Sequence, residues 1–361
     1  RRRAPICQKR EFTRNRAARP SWSTAGPHRM SSSMALHASL HCPAAREWTE
    51  PHLHAANLVY PVFVTLANED RDIPGFDPNK QWGAGSGASF DGLVAHLREL
   101  EPKGLRSVML FGVVKDKDAV GTKADCADSN PVILATRALR KALPDMMILA
   151  DVCLCEYSDH GHCGILREVE GEEVICNTST LERLANIALA YARAGAHWVC
   201  PSDMMDGRVA AIRQLLTANG FAHVGIMAYT SKKASSMYAP FRAAVESTFT
   251  GDRKRYQQPL GSVLHARQAL ARDESEGASV VLVKPALFYG DIIKEYAQQS
   301  RLPVACYIVS GEYVMIKDYG DRTGDLESVL RESHVSMLRA GASILVTYFT
   351  PQLLDLIPKW R

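Results

Sequence analysis

Little in this sequence points to a membrane, a fibre or a secreted scaffold. No run of about eighteen apolar residues occurs, so no membrane-spanning helix is expected. Cysteine is sparse, nine among 361 residues, far below the density of a disulfide-stapled domain. An odd count without a recognisable signal peptide reads as reduced, intracellular thiols. The 24 glycines and 18 prolines show no period, which excludes collagen. What remains is ordinary: 46% hydrophobic, 23% charged and a mean hydropathy of −0.14. That is ample core for one large barrel or for two or three small domains.

The charge is unevenly spread. Residues 1–30 hold nine Lys and Arg against a single acid, Glu11, a surplus of eight. With +4 over the whole chain, the rest carries −4, mildly acidic, which argues against a nucleic-acid platform. The basic stretch reads as an extension outside the mature fold, with an organellar targeting peptide, and after it an RNA- or lipid-binding arm, as the alternatives. The expected division is a disordered or non-native extension over 1–34, an arm over 35–57 and one catalytic domain over 58–361. Cytoplasmic residence is the matching expectation.

From residue 58 the pattern becomes regular. Apolar, β-branched runs recur at 58–64, 107–114, 146–154, 198–203, 224–231, 279–285, 303–311 and 343–350. Runs of this length fit strands buried on both faces of a parallel sheet. Helix-like segments alternate with them, at 91–101, 131–143, 180–194, 207–219, 261–275, 289–300, 325–340 and from 351. In the third, Thr180 is placed to cap, Leu181, Leu184, Ile187, Ala188 and Tyr191 share a face, and Gly195 ends it. Eight strand–helix alternations predict an α/β fold, a (β/α)8 TIM barrel with an N-terminal arm. A doubly wound sheet is the runner-up.

Sites in such barrels lie at the C-terminal ends of the strands. Polar residues gather there: Asp151, Cys153, Cys155, Ser202, Asp203, Lys232, Lys284, Ser310 and Tyr348. Cys153, Cys155 and Cys163 can face one point if the loop through Gly161 and Gly164 turns back. Three thiolates with an open fourth position are the arrangement of catalytic Zn²⁺. His160 and His162 in the same loop are candidates for ligands, although a His beside Gly in a polar loop is commonly just exposed. Lys284 follows a buried apolar run, where desolvation favours the free amine that attacks carbonyls to form a Schiff base. Lys232 stands at the end of the preceding run, and the adjacent Lys233 reads as solvent-facing. The stretch 238–257 is long for a loop of this kind and carries Arg242, Arg253, Lys254 and Arg255, as a carboxylate-capturing lid would.

Seven segments occur in order: DVCLCEYSDHGHCG, PSDMMDGR, YTSKKASSMYAPFR, GDRKRYQ, LVKPA, YIVSGEY and TYFTP. Together they resemble the porphobilinogen synthase (5-aminolevulinate dehydratase) family from about residue 56 to 355, and more weakly from 35. The resemblance implies a (β/α)8 enzyme, usually a homo-octamer, that joins two 5-aminolevulinate molecules into porphobilinogen with loss of two waters. It assigns Lys284 to the first substrate and Lys232 to the second, both as Schiff bases. It assigns Ser310 and Tyr348 to the first carboxylate, and Arg242, Arg253 and Gln257 to the second. Asp151 and Ser202 fall near the second substrate and the metal. Cys153, Cys155 and Cys163 match the zinc-type triad, which plant-like relatives replace by aspartates. Lys233 departs from the aromatic residue usual in animal relatives, and 316–325 is atypical. Ala269 stands where bacterial enzymes with an allosteric Mg²⁺ carry Glu. No nucleic acid or membrane partner is implied.

Two rivals remain on residues alone. A single-substrate class I aldolase needs one Schiff-base lysine and no cysteine triad. A zinc-stabilised binding scaffold needs the thiols but not the lysines.

Overall fold

The computed structural model describes residue 40 and residues 42–360. The extension over 1–34 lies outside the described residues. The chain divides into two compact units, Arg1–Glu50 and Pro51–Arg361. The described part of the first contains one short helix, Pro43–Glu47, with Arg46 donating to the Leu40 carbonyl.

The second unit is a closed parallel barrel. Its strands are β1 (Leu58–Thr65), β2 (Ser107–Val113), β3 (Met147–Val152), β4 (Trp198–Pro201), β5 (Gly225–Lys232), β6 (Val280–Lys284), β7 (Val304–Ile308) and β8 (Ile344–Thr347). Each pairs in parallel with the next, and β8 returns to β1 through Leu58 opposite Leu345 and Val59 opposite Val346. Strands β1, β2, β6 and β7 are buried along their whole length, as expected when helices cover one face and barrel side chains the other.

The eight helices fall where the periodicity placed them. They are α1 (Asp91–Leu100), α2 (Pro131–Ala142), α3 (Asn177–Ala194), α4 (Arg208–Ala218), α5 (Leu264–Ser275), α6 (Gly290–Gln299), α7 (Leu326–Ala340) and α8 (Thr350–Leu356). Helix α2 starts cleanly because Asn130 accepts from the Val132 and Ile133 amides and Pro131 needs no donor there. Helix α3 starts three residues before the expected cap. Thr180 is buried inside its first turn, donating to the Cys176 carbonyl and accepting from the Ile165 amide. Gly195 ends the helix with φ of 106°, a conformation a side chain would resist.

Three elements were not legible from periodicity. Lys80–Gly83 adds a short strand to the mouth side of β1. Leu166–Val169 and Glu172–Ile175 form a largely exposed hairpin whose strand side chains are half charged and half apolar, without a regular alternation to mark it. Residues 303–311 read as one strand, yet β7 stops at Ile308 and Ser310–Thr323 is a helix. The Glu312 carboxylate accepts from the Val309 amide and captures the chain at that point.

His334 of α7 is fully buried. It bonds the Leu330 carbonyl through Nδ1 and Thr347 through Nε2. Burial pulls its pKa down to about 4 from an ordinary 6.5. Between those values the unfolded chain binds a proton that the folded chain refuses, so this residue's contribution is lost as pH falls from 6.5 towards 4. Relative to His334→Gln, the wild type should lose about 2 kcal/mol more stability between pH 7 and pH 4.5 in denaturant titrations. Equal losses in both proteins would show that His334 does not titrate this way.

Candidate active site

Two lysines end adjacent strands side by side. In the β5–β6 register, Lys284 is opposite Lys232. The pairing shifts by one residue between Val281 and Val283, because β5 carries an extra residue there. Strict alternation would send Tyr229 and Lys232 to opposite faces of the strand; the bulge cancels that. Both therefore face inward, with the Lys232 and Lys284 ammonium groups 5.9 and 5.0 Å from the centre of the Tyr229 ring.

The two environments differ. Lys284 sits among the rings of Tyr307 at 4.2 Å, Tyr229, Phe241 at 5.2 Å and Tyr238 at 5.6 Å. Burial, and then the charge of Lys232, lower its pKa to about 7. Lys232 donates to the Ser202 carbonyl. Burial also works against its charge, but the Cys163, Cys153 and Cys155 sulfurs outweigh it and raise the pKa. Titratable groups pushed apart in this way take different roles: Lys284 is the free amine near neutrality and Lys232 the cation.

Cys153, Cys155 and Cys163 are buried, and their sulfur atoms all lie within 4.8 Å of one another. Cys153 and Cys155 are 3.2 Å apart. Hydrogen bonds from those two thiols hold the Cys163 thiol well below its ordinary pKa. Three soft donors at one point fit a thiophilic ion. The loop that returns Cys163 to the others depends on Gly161. Its φ is 67°, and a Cβ there would stand 2.7 Å from the Phe249 backbone nitrogen.

Phe249 belongs to the lid. The segment after β5 crosses the barrel mouth with a short helix, Ala239–Ala244. Arg253 donates to the Gly161 carbonyl at 2.8 Å and lies over the Phe249 ring. Lys232, Lys284, Ser202, Cys155, Arg242, Arg253 and Gln257 line one pocket that opens to solvent. The buried Arg253 Nε and Gln257 Nε2 have no hydrogen-bond partner, so two lining donors are available to a ligand. Asp151, Ser310 and Tyr348 stand one layer back. Ser202 donates to Asp151 at 2.9 Å, Ser310 Oγ accepts from the Phe241 amide, and the Tyr348 hydroxyl meets that of Tyr307 at 2.8 Å. Burial, and then the nearby Glu156, push the Asp151 pKa up to about 8.

A profile of the delta-aminolevulinic acid dehydratase family matches residues 36–356. The chain is 44% identical over 327 residues to delta-aminolevulinic acid dehydratase of Dictyostelium discoideum, across 89% of this chain and 96% of the relative. It is 42% identical over 336 residues to the Bos taurus enzyme of that name, across 89% and 97%. The chain belongs to this family. The crystal structure of the Toxoplasma gondii ME49 enzyme, in complex with the reaction product porphobilinogen, superposes with a TM-score of 0.83. That match has 35% identity and covers 88% of this chain and 90% of that one. The family is generally metal-dependent, in keeping with the thiol cluster.

One expectation is corrected. Lys233 is not solvent-facing: the residue is buried, and its ammonium donates to the Ser262 carbonyl behind the lid. Its amide donates to the Lys284 carbonyl at 3.0 Å, so it ties the ends of β5 and β6 together. His160 and His162 fall outside the thiol cluster. His162 instead meets the Tyr256 hydroxyl at 3.1 Å and the edge of Phe249. Residue-by-residue reading missed the supporting groups. Tyr229, Tyr238, Phe241 and Tyr307 surround Lys284, but each reads in sequence as ordinary core. Glu312 accepts from the Ala286 and Leu287 amides, holding the turn after Lys284. Arg208, fully buried between Asp203 and Asp273, donates to the Tyr229 carbonyl and supports β5 from behind. The PSDMMDGR and SGEY segments contained these residues, but no spacing rule marks them.

The amine of Lys284 should behave as a group with pKa about 7. Labelling by pyridoxal phosphate and borohydride, followed by peptide mapping, should rise with pH and reach half its maximum near 7. An ordinary lysine does so above 10. A midpoint above about 9 would show that burial does not poise this amine.

Proposed function

We propose that this chain condenses two molecules of 5-aminolevulinate into porphobilinogen with loss of two waters, using both lysines as Schiff-base residues. The observation that carries the reading is the register pairing of Lys284 with Lys232 in a pocket beneath a lid bearing arginines. A ketone carbon is a poor partner for carbon–carbon bond formation. Attack by a lysine amine with loss of water makes an iminium, which acidifies the neighbouring C–H. Lys284, free near neutrality, attacks first. Lys232 can do the same once its ammonium proton passes to a base or to water, a loss that a cation held by the three sulfurs would favour by cancelling the charge that raises its pKa.

Each substrate also brings a carboxylate. Arg242, Arg253 and Gln257 receive one from the lid side, while Ser310 and Tyr348 serve the other from the β7 and β8 side. Holding two substrates in fixed order turns a bimolecular step into a local one. The lid excludes water that would hydrolyse the imines. Cys153, Cys155 and Cys163 would hold Zn²⁺, which when bound polarises an oxygen of the second substrate. Asp151, kept largely protonated at neutral pH, accepts from Ser202 on one oxygen and has its other oxygen unpartnered, from which it can donate a proton. A single-lysine aldolase leaves the second buried lysine and the triad without a use. Assembly as a homo-octamer and cytoplasmic residence belong to the same proposal and rest on the family resemblance alone.

Lys284→Met should abolish turnover and borohydride trapping of 5-aminolevulinate at residue 284. Activity above about 1% of wild type would remove Lys284 as the primary nucleophile. A strong chelator should inactivate the enzyme and release zinc measurable by atomic absorption, with circular dichroism unchanged because the open site serves chemistry. Recovery is expected with Zn²⁺ plus reductant. Full recovery with Mg²⁺ alone would show that the thiols are not the catalytic metal site.

A further inference from the structure

The lid helix Ala239–Ala244 ends above the pocket, and a helix end leaves its last carbonyls without partners. Here they are met from across the barrel mouth. Gln81, in the short strand beside β1, donates to the Ala244 carbonyl at 2.8 Å. Lys117, in the loop after β2, donates to the Glu246 carbonyl at 2.8 Å and to that of Val245 at 3.4 Å. Strands β1 and β2 lie across the barrel from β5, which feeds the lid. The contacts therefore bridge the mouth.

Three details mark this as more than an incidental surface contact. Lys117 makes no ion pair among the described residues; its ammonium is given to backbone oxygens, as a cation at a helix C-terminus should be. Glu246 adopts φ of 48°, a left-handed conformation unusual for a residue with a side chain, which the surrounding contacts must hold. The short helix also carries the pocket's business end: Phe241 is a wall of the Lys284 cage and Arg242 lines the pocket.

We propose that Lys117, with Gln81, latches the lid shut across the barrel mouth and is a positioning residue for the lid groups Arg242 and Phe241. Lys117 touches no substrate in this arrangement; it acts through the lid helix. The kinetic consequence rests on the reaction proposed above, while the latch itself does not.

The test compares wild type, Lys117→Met and Lys117→Arg in the full chain. Three quantities are measured: KM and kcat for 5-aminolevulinate, and the rate of limited tryptic cleavage after Arg253, Lys254 and Arg255. Loss of charge-assisted bonds should raise KM about tenfold in Lys117→Met with a smaller change in kcat. Lid cleavage should become several-fold faster, and Lys117→Arg should recover most of both. Unchanged KM and cleavage would overturn the latch. A raised KM with unchanged cleavage would overturn it too, since Lys117 would then act on substrate directly. If the wild type does not turn over 5-aminolevulinate, the proposed reaction fails, and the cleavage rates alone decide the latch. Gln81→Leu provides a second variant, with the same acceleration of lid cleavage expected and its absence counting against the bridge.

Discussion

Two buried lysines side by side cannot both carry full charge at small cost, and the site is built around that constraint. Burial and mutual repulsion act on both, but their surroundings decide which one yields. Lys284 is enclosed by aromatic rings and loses its proton readily. Lys232 faces three sulfurs and keeps its proton. The thiol cluster thus has a second effect besides offering ligands, because its sulfurs favour the protonated form of Lys232.

Holding this pair requires a rigid frame behind it. The Lys233 amide and the Glu312 carboxylate fix the two strand ends. Arg208 binds the Tyr229 carbonyl from a fully buried position between two aspartates. Removing one member of such a buried network would leave an unpaired charge, so these residues support geometry at high local cost. The frame is polar where it serves the lysines and apolar elsewhere in the barrel.

The cysteine loop and the lid are one mechanical unit. The Gly161 carbonyl accepts from Arg253, and its missing side chain admits the Phe249 backbone. Ser158 accepts from Thr248 on the same seam. The loop that returns Cys163 to its partners is therefore also the seat on which the lid closes. Arginine placement and thiol geometry depend on each other.

The eight buried strands, the alternating helices, the clustered thiols and the two lysines at strand ends were legible in the sequence. Each rests on local chemistry: apolar runs, helical spacing, soft ligands close together, a costly cation at the end of a buried run. Other features had no local signature. Glu312 converts the expected end of β7 into a helix because three backbone amides from two segments meet its carboxylate. Lys233 is buried because a carbonyl 29 residues away receives it. The extra residue in β5 turns Lys232 inward only through its pairing with β6, and the four rings around Lys284 come from strands and a lid far apart in sequence. Composition and spacing determined the barrel and the kinds of chemistry it carries. Only the tertiary structure decided which lysine is free and which residues close the site, because charge and burial depend on neighbours in space, not in sequence.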